Sequence, residues 1–540
     1  MKKTDPDFWC AQSANNYTKL EDTEYIMWYS GVIIAKGDDG ERLTPFDIGK
    51  RAFQEGLDYN HLSGWFKFVV FSKPKNEWFF CGDHAGSQFF FYDSENKSFS
   101  DRMLKLRAMR GKKAEPDMEA ISELFTLNRT YCGKTIVKGI LKTKPDCYYR
   151  FRDGNIEELS KNLEDFSSMD RHFSLEDVTF ATLDAIGDEK VCAVLTGGTD
   201  SRAVLAALLA KGCKPSLVLT GHARNPDISI SKKIADILAL PLTIIDPSQR
   251  EQGWLESSFA FLDGQYDVVL GYRHFQKARW AQEAGFKFEF GGIGGEFYKN
   301  AYCHPFRWGL FKKQSAQDLY EHLFQASSIS WCGEKLKNAA QKDAESLREI
   351  ARLGMCENSL LQRCNHIGFD MLRAGAGAIT NGYASACCKI DPLMDRCLIA
   401  AASYEKPLAH SMHVWQRKQI ARLAPELSGI ETDQGYSCSL EPFKLSAERM
   451  KKFSFYAGRC IARIKRKMGW RYKSANAQYW NSDYVEARST SAWTKAIKYC
   501  KTSGIIAADV TDEKIPMEQT GFILLVGMMF VDDSLCYHLY

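Results

Sequence analysis

At 540 residues the chain is too long for one ordinary hydrophobic core, so we expect two or more domains. Its hydrophobic content of 45% and aromatic content of 13% exclude a disordered chain. The formal charge of +4 is small for this length and argues against a protein that coats nucleic acid, so we expect no nucleic-acid partner.

The cysteines and the apolar runs predict a location in the reducing cytoplasm. The 17 cysteines have no even spacing, and the adjacent Cys387 and Cys388 suit neither a disulfide framework nor a C-x-x-C zinc site. Residues 1–7 lack the apolar segment of a secretory signal. The longest apolar run, 521–531, is too short to span a bilayer.

Short strands separated by turns are predicted for residues 1–155. There, aromatic and β-branched residues lie between clusters of Gly, Asn, Asp and Lys. The predicted strands are 25–35, 65–72, 78–81, 88–92 and 147–152. The polar segment 153–175 follows them and is the predicted domain boundary.

Strands alternate with longer helices from about residue 172. The predicted order is strand 191–195, helix 202–211, strand 216–220, helix 228–238 and strand 242–245. This alternation is typical of a parallel, doubly wound sheet, in which ligands bind at the carboxyl ends of the strands. After about residue 310 the chain is predicted to be mainly helical.

Residues 195–202 read LTGGTDSR, between a predicted strand and a predicted helix. Two glycines at a helix N-terminus allow backbone N–H groups to approach a phosphate, and the helix dipole favours its negative charge. Thr196 and Ser201 add hydroxyl groups, and Asp200 is placed to hold Mg²⁺ beside the phosphates. The loop resembles the S-G-G-x-D-S loop of the ATP pyrophosphatases, which split ATP into AMP and pyrophosphate.

Six further segments resemble motifs of the asparagine synthetase family, and they follow the family's order. The segments are LSGWFKF at 62–68, GDHAGSQFFFY at 82–92, FSD at 99–101, TIVKGI at 135–140, GGIGGEF at 291–297 and PLMD at 392–395. Taken alone, 291–295 could be only a tight turn from strand to helix. The phosphate loop upstream favours a segment that faces the nucleotide.

The resemblance implies an α/β protein of two domains. Residues 1–160 would form an Ntn-hydrolase-like αββα domain of the glutamine amidotransferase type. Residues 170–540 would form a doubly wound parallel-sheet ATP pyrophosphatase domain with a helical C-terminal region.

The resemblance also implies ATP and Mg²⁺ as ligands. Asp200 and Glu296 would be the catalytic residues and would also hold the metal, and Asp227 matches an acidic residue that the family has before its next helix. The residues implied to bind the nucleotide are Leu195, Thr196, Gly197, Gly198, Asp200, Ser201, Thr220, Gly221, Gly291 and Gly292.

The sequence departs from the family at its glutamine-hydrolysing end. The family uses an N-terminal cysteine as nucleophile, whereas this chain has Lys2, and Cys10 would need a propeptide to be removed. The first domain is therefore predicted to be an inactive scaffold.

The sequence also departs at the amidation step. Ile293 and Cys388 stand where the family has glutamates, and Asp433 stands where it has a lysine near the breaking phosphate bond. Loss of a cation there would cost about 10²–10³-fold in rate. Arg417 and Lys418 are the alternatives considered as replacements.

The resulting hypothesis is an AMP-forming ligase that joins a small-molecule carboxylate to ammonia or another amine through an acyl-adenylate. The acceptor could be aspartate, a sugar carboxylate, or a peptide or β-amino acid. The alternative is a non-catalytic nucleotide-binding scaffold.

Two partner hypotheses stay open. The basic segment 449–473 has ten Lys and Arg and no acidic residue, and either packs as an amphipathic helix or contacts an anionic membrane surface. The second is a homodimer.

Overall fold

The computed structural model describes residues 17–35, 41–111, 114–222, 225–303, 315–405, 410, 413–440 and 475–531. Lys2, Cys10 and the basic segment 449–473 lie outside these residues. No helix in the described part of the chain combines the length and the apolar character needed to cross a bilayer.

The N-terminal part contains two antiparallel sheets. The first has six strands in the order β1-β2-β3-β4-β8-β9, and the second has three in the order β6-β5-β7. The bounds are β1 Thr18–Glu21, β2 Tyr25–Ala35, β3 Leu62–Ser72, β4 Glu77–Gly82, β5 Phe91–Asp93, β6 Ser98–Ser100, β7 Ile140–Lys142, β8 Cys147–Arg152 and β9 Asn155–Ser160.

Three hydrophobic clusters stack these sheets into the αββα order that the sequence predicts. Helix α1 (Pro45–Phe53) packs on one face of the six-stranded sheet, where Phe66, Phe68 and Phe79 lie. The aromatic side chains of the other face pack against the three-stranded sheet. Helices α2 (Met103–Arg110) and α3 (Met118–Leu127) cover the far side of that sheet.

The predicted strand 88–92 is wrong in its first half, since β5 begins only at Phe91. The N–H groups of the three residues before Phe91 donate to side chains and not to a neighbouring strand. The N–H of Gln88 donates to Asp83 at 3.0 Å, that of Phe89 to Asn381 at 3.2 Å and that of Phe90 to Thr143 at 3.0 Å. These three N–H groups are therefore not available for the ladder of a neighbouring strand.

The second sheet region has five parallel strands in the order β12-β11-β10-β13-β14. The bounds are β10 Val191–Val194, β11 Ser216–Thr220, β12 Leu242–Ile245, β13 Phe288–Phe290 and β14 Cys388–Ile390. The strand order reverses between β10 and β13, so a crevice for ligands lies beyond their carboxyl ends. The predicted doubly wound sheet is confirmed.

The remaining described elements are helical. The bounds are α4 Leu175–Ile186, α5 Asp200–Ala210, α6 Pro226–Leu238, α7 Trp254–Phe261, α8 Val268–Glu283, α9 Ala316–Leu323, α10 Glu334–Leu353, α11 Leu360–Tyr383, α12 Arg396–Ala402, α13 Val414–Leu423, α14 Ala475–Arg488, α15 Ser491–Thr502 and α16 Thr520–Val531. The predicted helical C-terminal region is confirmed.

Polar and apolar contacts join the antiparallel and parallel sheet regions. Arg373 of α11 donates to both carboxylate oxygens of Asp146, at 2.9 and 2.6 Å. Trp65 and Val32 of the first sheet share one hydrophobic core with Phe290 of β13. The strands that carry the nucleotide motifs are thus fixed against the N-terminal domain.

Candidate functional site

The predicted nucleotide-binding residues converge at the carboxyl edge of the parallel sheet. Leu195 follows β10, Gly221 follows β11 and Gly291 follows β13. These three strands are neighbours in the sheet. The loop 195–201 and the segment 291–295 therefore face each other across the point where the strand order reverses.

The loop 195–201 is held by its own hydroxyl groups and by α6. The N–H of Thr196 donates to Ser201 Oγ at 3.1 Å, and the two hydroxyl groups lie 3.0 Å apart. The N–H of Gly197 donates to Asp227 Oδ1 at 2.9 Å. Thr199 begins α5 without a side-chain cap, since its hydroxyl bonds His413 Nδ1 at 2.9 Å instead. The helix N-terminus is thus left available to an anion.

Three glycines allow the close packing of this loop. A Cβ on Gly197 would lie 2.7 Å from Asp227 Oδ1, and one on Gly292 would lie 2.7 Å from the N atom of Ser201. A Cβ on Gly295 would overlap the carboxylate of Asp200. Side chains at these positions would close the space beside the helix N-terminus.

Four carboxylates surround the loop. Burial, followed by the charge of Asp200, raises the pKa of Glu296 above its ordinary value. Partial burial and the charges of Asp227 and Asp200 likewise raise the pKa of Asp433. The backbone N–H of Asp433 donates to the carbonyl of Gly197 at 3.1 Å, which fixes its turn beside the loop. The cluster thus carries an excess of negative charge.

Lys299 lies inside this cluster, and sequence reasoning missed it. Its ammonium forms an ion pair with Asp200 Oδ2. On the other side of that carboxylate, Gln416 Nε2 donates to Asp200 Oδ1 at 3.1 Å and to the carbonyl of Gly295 at 3.1 Å. Position 299 is outside the family motif, so only the fold reveals its proximity.

Thr220 ends β11 and Gly221 follows it, at the carboxyl edge where the resemblance implies nucleotide binding. The hydroxyl of Thr220 is buried and has no hydrogen-bond partner among the described residues. The N–H of Gly221 donates to the carbonyl of Ile245 at 3.0 Å. A buried hydroxyl without a partner is costly, and a bound ligand would supply that partner.

The residues present fit both a pyrophosphate group and Mg²⁺. The uncapped start of α5 and the glycine-lined space suit the phosphates. The oxygens of Asp200 and Glu296 are hard donors of the type that Mg²⁺ prefers. A divalent cation would also offset the mutual repulsion of these carboxylates.

The strand β14 carries different chemistry. Cys388 and Ile390, at positions that face one way, belong to the core shared with Trp65. The Sγ atom of Cys388 lies 3.3 Å from Gln88 Nε2 and 3.6 Å from the carbonyl of Trp65. Ile293 packs against the same core. The two positions at which the family has glutamates are therefore apolar contacts in this chain.

Charged groups occupy the other side of β14. Lys389 Nζ lies 2.9 Å from Glu289 Oε1 and 3.8 Å from Asp391 Oδ1, and Lys277 Nζ lies 3.3 Å from the same Glu289 oxygen. Burial raises the pKa of Glu289, but the two lysines outweigh it and lower the pKa below its ordinary value. Asp391 also accepts from the N–H of Ile293 at 3.1 Å, so the network supports the segment after β13.

The two replacement cations considered from the sequence lie elsewhere. Arg417 is fully buried, donates to the carbonyl of Ser439, and lies 5.3 Å from the ring centre of Tyr436. Lys418 is exposed. The ion pair that Asp200 forms in the described part of the chain comes from Lys299.

One cluster with metal-ligand atoms also lies away from the crevice. Cys356, Glu357 and His366 bring ligand atoms within 4.8 Å of one another. Glu357 accepts from the N–H groups of Phe166 and Ser167 at 2.8 and 2.9 Å, and lies 2.9 Å from His366 Nδ1. These hydrogen bonds connect residues 166–167, in the polar segment that precedes the parallel sheet, to His366 of α11 through Glu357.

Comparisons with known proteins agree with the motifs. Residues 53–162, from the end of α1 to β9, match the family described as "Glutamine amidotransferase domain". A stretch of 185 residues is 29% identical to "Asparagine synthetase [glutamine-hydrolyzing] 3" of Bacillus subtilis (strain 168). The match covers 32% of this chain and spans 30% of the length of that relative. Together these matches support an asparagine synthetase-like family for this chain and confirm the resemblance that the motifs carry.

Proposed function

We propose that this protein is an ATP-dependent, AMP-forming ligase that joins a carboxylate to ammonia or another amine. The observation that carries the proposal is the uncapped start of α5 at the strand-order reversal, with the carboxylates of Asp200 and Glu296 beside it. The match to a curated asparagine synthetase supports the same class of reaction.

Each residue of the crevice has a defined role in this proposal. The backbone N–H groups of 198–201 bind the β- and γ-phosphates, and Thr220 and Gly221 bind the adenosine side. Asp200 and Glu296 hold Mg²⁺, which neutralises phosphate charge when bound. The glycines keep Cβ atoms out of the phosphate space.

The proposed reaction has two steps. An oxygen of the substrate carboxylate forms a bond to the α-phosphorus, and pyrophosphate leaves with the electron pair of the broken bond. The amine then attacks the acyl carbon of the acyl-adenylate, AMP leaves, and the nitrogen loses a proton. The chain's contribution to both steps is positioning and charge stabilisation.

The amine is proposed to come from solution and not from glutamine hydrolysis by this chain. Within residues 1–16 the one cysteine, Cys10, is followed by Ala11 and Gln12 and not by the Gly-Ile that the family has after its nucleophile, and these residues lie outside the described part of the chain. Aspartate is the family default as carboxylate. The apolar contacts of Ile293 and Cys388 favour a different acid, such as a sugar carboxylate, a peptide or a β-amino acid.

Thermal unfolding with Mg-ATP tests the nucleotide site. A ligand at 100 times its Kd stabilises a protein by about 2.7 kcal/mol. Asp200→Asn should abolish this shift, whereas the matched control Asp236→Asn, on the exposed side of α6, should retain it. An unchanged shift in Asp200→Asn would contradict the site.

The release of pyrophosphate separates the ligase from a nucleotide-binding scaffold. A panel of amino acids, sugar acids and short peptides is incubated with Mg-ATP and ammonium. Release with at least one acid is expected from a ligase. A full Mg-ATP shift with no release from any acid would favour the scaffold, for which the lost lysine at position 433 is the specific argument.

A further inference from the structure

Lys299 lies at the centre of the charges that surround the phosphate loop. It ends a short helical turn, Gly295–Lys299, that directly follows the glycine segment after β13. Its ammonium contacts Asp200, and both side chains are only about one-fifth exposed, at 23% and 21%. A lysine in this position is therefore held by the fold and is not a freely moving surface side chain.

The same ammonium acts on two further carboxylates. It opposes the rise in the pKa of Glu296 and the rise in the pKa of Asp433. The negative charge of Asp200 raises the pKa of Glu296, and the charges of Asp227 and Asp200 raise the pKa of Asp433. Lys299 thus supplies positive charge where negative charge accumulates, between the proposed metal ligands and the 432–436 turn.

The residue at position 433 explains why the positive charge of Lys299 matters for phosphate binding. The family has a lysine there, and in this chain the Asp433 turn is bonded to the loop through the carbonyl of Gly197. A cation at 433 would face the phosphates, whereas an aspartate there repels them. Arg417 donates to the carbonyl of Ser439 and Lys418 is exposed, whereas Lys299 pairs with a carboxylate of the loop itself.

We propose that Lys299 supplies the phosphate-stabilising cation that the family places at position 433. The inference rests on the proposed ligase function. In the ligand-free protein Lys299 pairs with Asp200. With Asp200 and Glu296 holding Mg²⁺, the Lys299 ammonium would contact the phosphate oxygens beside them.

The chemical role is charge stabilisation without proton transfer. The bond from the α-phosphorus to the bridging oxygen breaks, and its electron pair stays on pyrophosphate. An ammonium next to those oxygens stabilises the added charge, as a fixed donor does in other anion-stabilising sites. Pyrophosphate itself is therefore the ligand that should sense Lys299 most directly.

The experiment measures binding of inorganic Mg-pyrophosphate and of Mg-ATP by titration calorimetry. The variants are Lys299→Met, Lys299→Arg and the double variant Lys299→Met with Asp433→Lys. Lys299→Met should weaken Mg-pyrophosphate by about 10–100-fold, as expected for a hydrogen bond to a charged group. Lys299→Arg should retain most of the affinity because it keeps the cation.

The double variant gives the decisive result. If Lys299 has taken over the role of the family lysine, adding Asp433→Lys to Lys299→Met should restore the affinity for Mg-pyrophosphate. The restored Kd should lie within about threefold of the wild-type value. Lys233→Met, an exposed lysine on α6, is the matched control and should bind as the wild type does. Lys418→Met should do the same.

Three results would overturn the inference. One is unchanged affinity in Lys299→Met, and another is failure of Asp433→Lys to rescue it. The third is tighter Mg-pyrophosphate binding in Lys299→Met, which would make Lys299 only a competitor for Mg²⁺ at Asp200. Wild-type protein that binds neither Mg-ATP nor Mg-pyrophosphate would instead refute the proposed function itself.

Discussion

The parallel sheet has two halves of different chemical character. At the carboxyl edge around β10 and β13, the loops leave a helix N-terminus uncapped and gather the carboxylates of Asp200, Glu296 and Asp433. In the half formed by β14, Cys388 at the start of the strand and Ile390 at its end are packed into the core that also contains Trp65 of the first sheet. One half carries groups that suit a nucleotide, and the other packs against the N-terminal part of the chain.

This difference arises within one short strand. Successive residues of a strand face opposite sides of the sheet, so one stretch of β14 serves two environments. Lys389 and Asp391 carry the charges on one side, and Cys388 and Ile390 pack into the core on the other. All three residues of β14 pair in parallel with β13, so the sheet register fixes which side chains face each environment.

The largest expected effect comes from Gly295→Ala, in the nucleotide half. Its Cβ would overlap the carboxylate of Asp200 and push it away from Gln416 and Lys299. Mg-ATP affinity should fall at least 100-fold, measured by calorimetry, because the displaced carboxylate no longer holds Mg²⁺ beside the phosphates. A ligand at 100 times the wild-type Kd would then stabilise the variant by about 0.4 kcal/mol instead of about 2.7 kcal/mol. Gly429→Ala is the control, since nothing lies within 4 Å of a Cβ there. Normal Mg-ATP binding by Gly295→Ala would show that Asp200 is not part of the nucleotide site.

The next effect, on stability, comes from Glu289→Gln under the other half. The change leaves Lys277 and Lys389 buried with only Asp391 to balance them. Breaking a buried ion pair costs about 3–5 kcal/mol of unfolding free energy, which denaturant titration measures. Glu251→Gln breaks an exposed pair with Arg279 and should cost less than about 1 kcal/mol. Equal effects of the two changes would show that the β14 charges do not hold the fold.

A smaller effect is expected from Cys388→Glu, which restores the family's glutamate. The new carboxylate would be buried against the carbonyl of Trp65, beside Gln88. Unfolding free energy should fall by about 2–3 kcal/mol, because burial of a charge without an ionic partner is costly. Cys388→Ser, of similar size, controls for loss of the thiol. A stable Cys388→Glu with increased pyrophosphate release would show that the acceptor side of β14 is still open.

Local patterns were enough to predict many of the elements. The predicted strands 25–35, 147–152, 216–220 and 242–245 coincide with β2, β8, β11 and β12. In each of them the apolar, aromatic or β-branched residues and the flanking turn residues lie within one short stretch of chain. The strand predicted at 88–92 was wrong only for residues 88–90, where side chains, including those of Thr143 and Asn381 from distant segments, took the N–H groups.

The residues of the candidate site also fall into two groups: those that the sequence predicted and those that only the structure brought together. The sequence predicted the loop 195–201 and Asp200 because a glycine turn between a strand and a helix is a local pattern that suits phosphate, and the family resemblance added Glu296. Only the tertiary structure brought Lys299 to Asp200, across 99 positions of the chain, and turned Cys388 toward the first domain. Contacts between distant segments depend on how the sheets and helices pack, and no local pattern of residues encodes that packing.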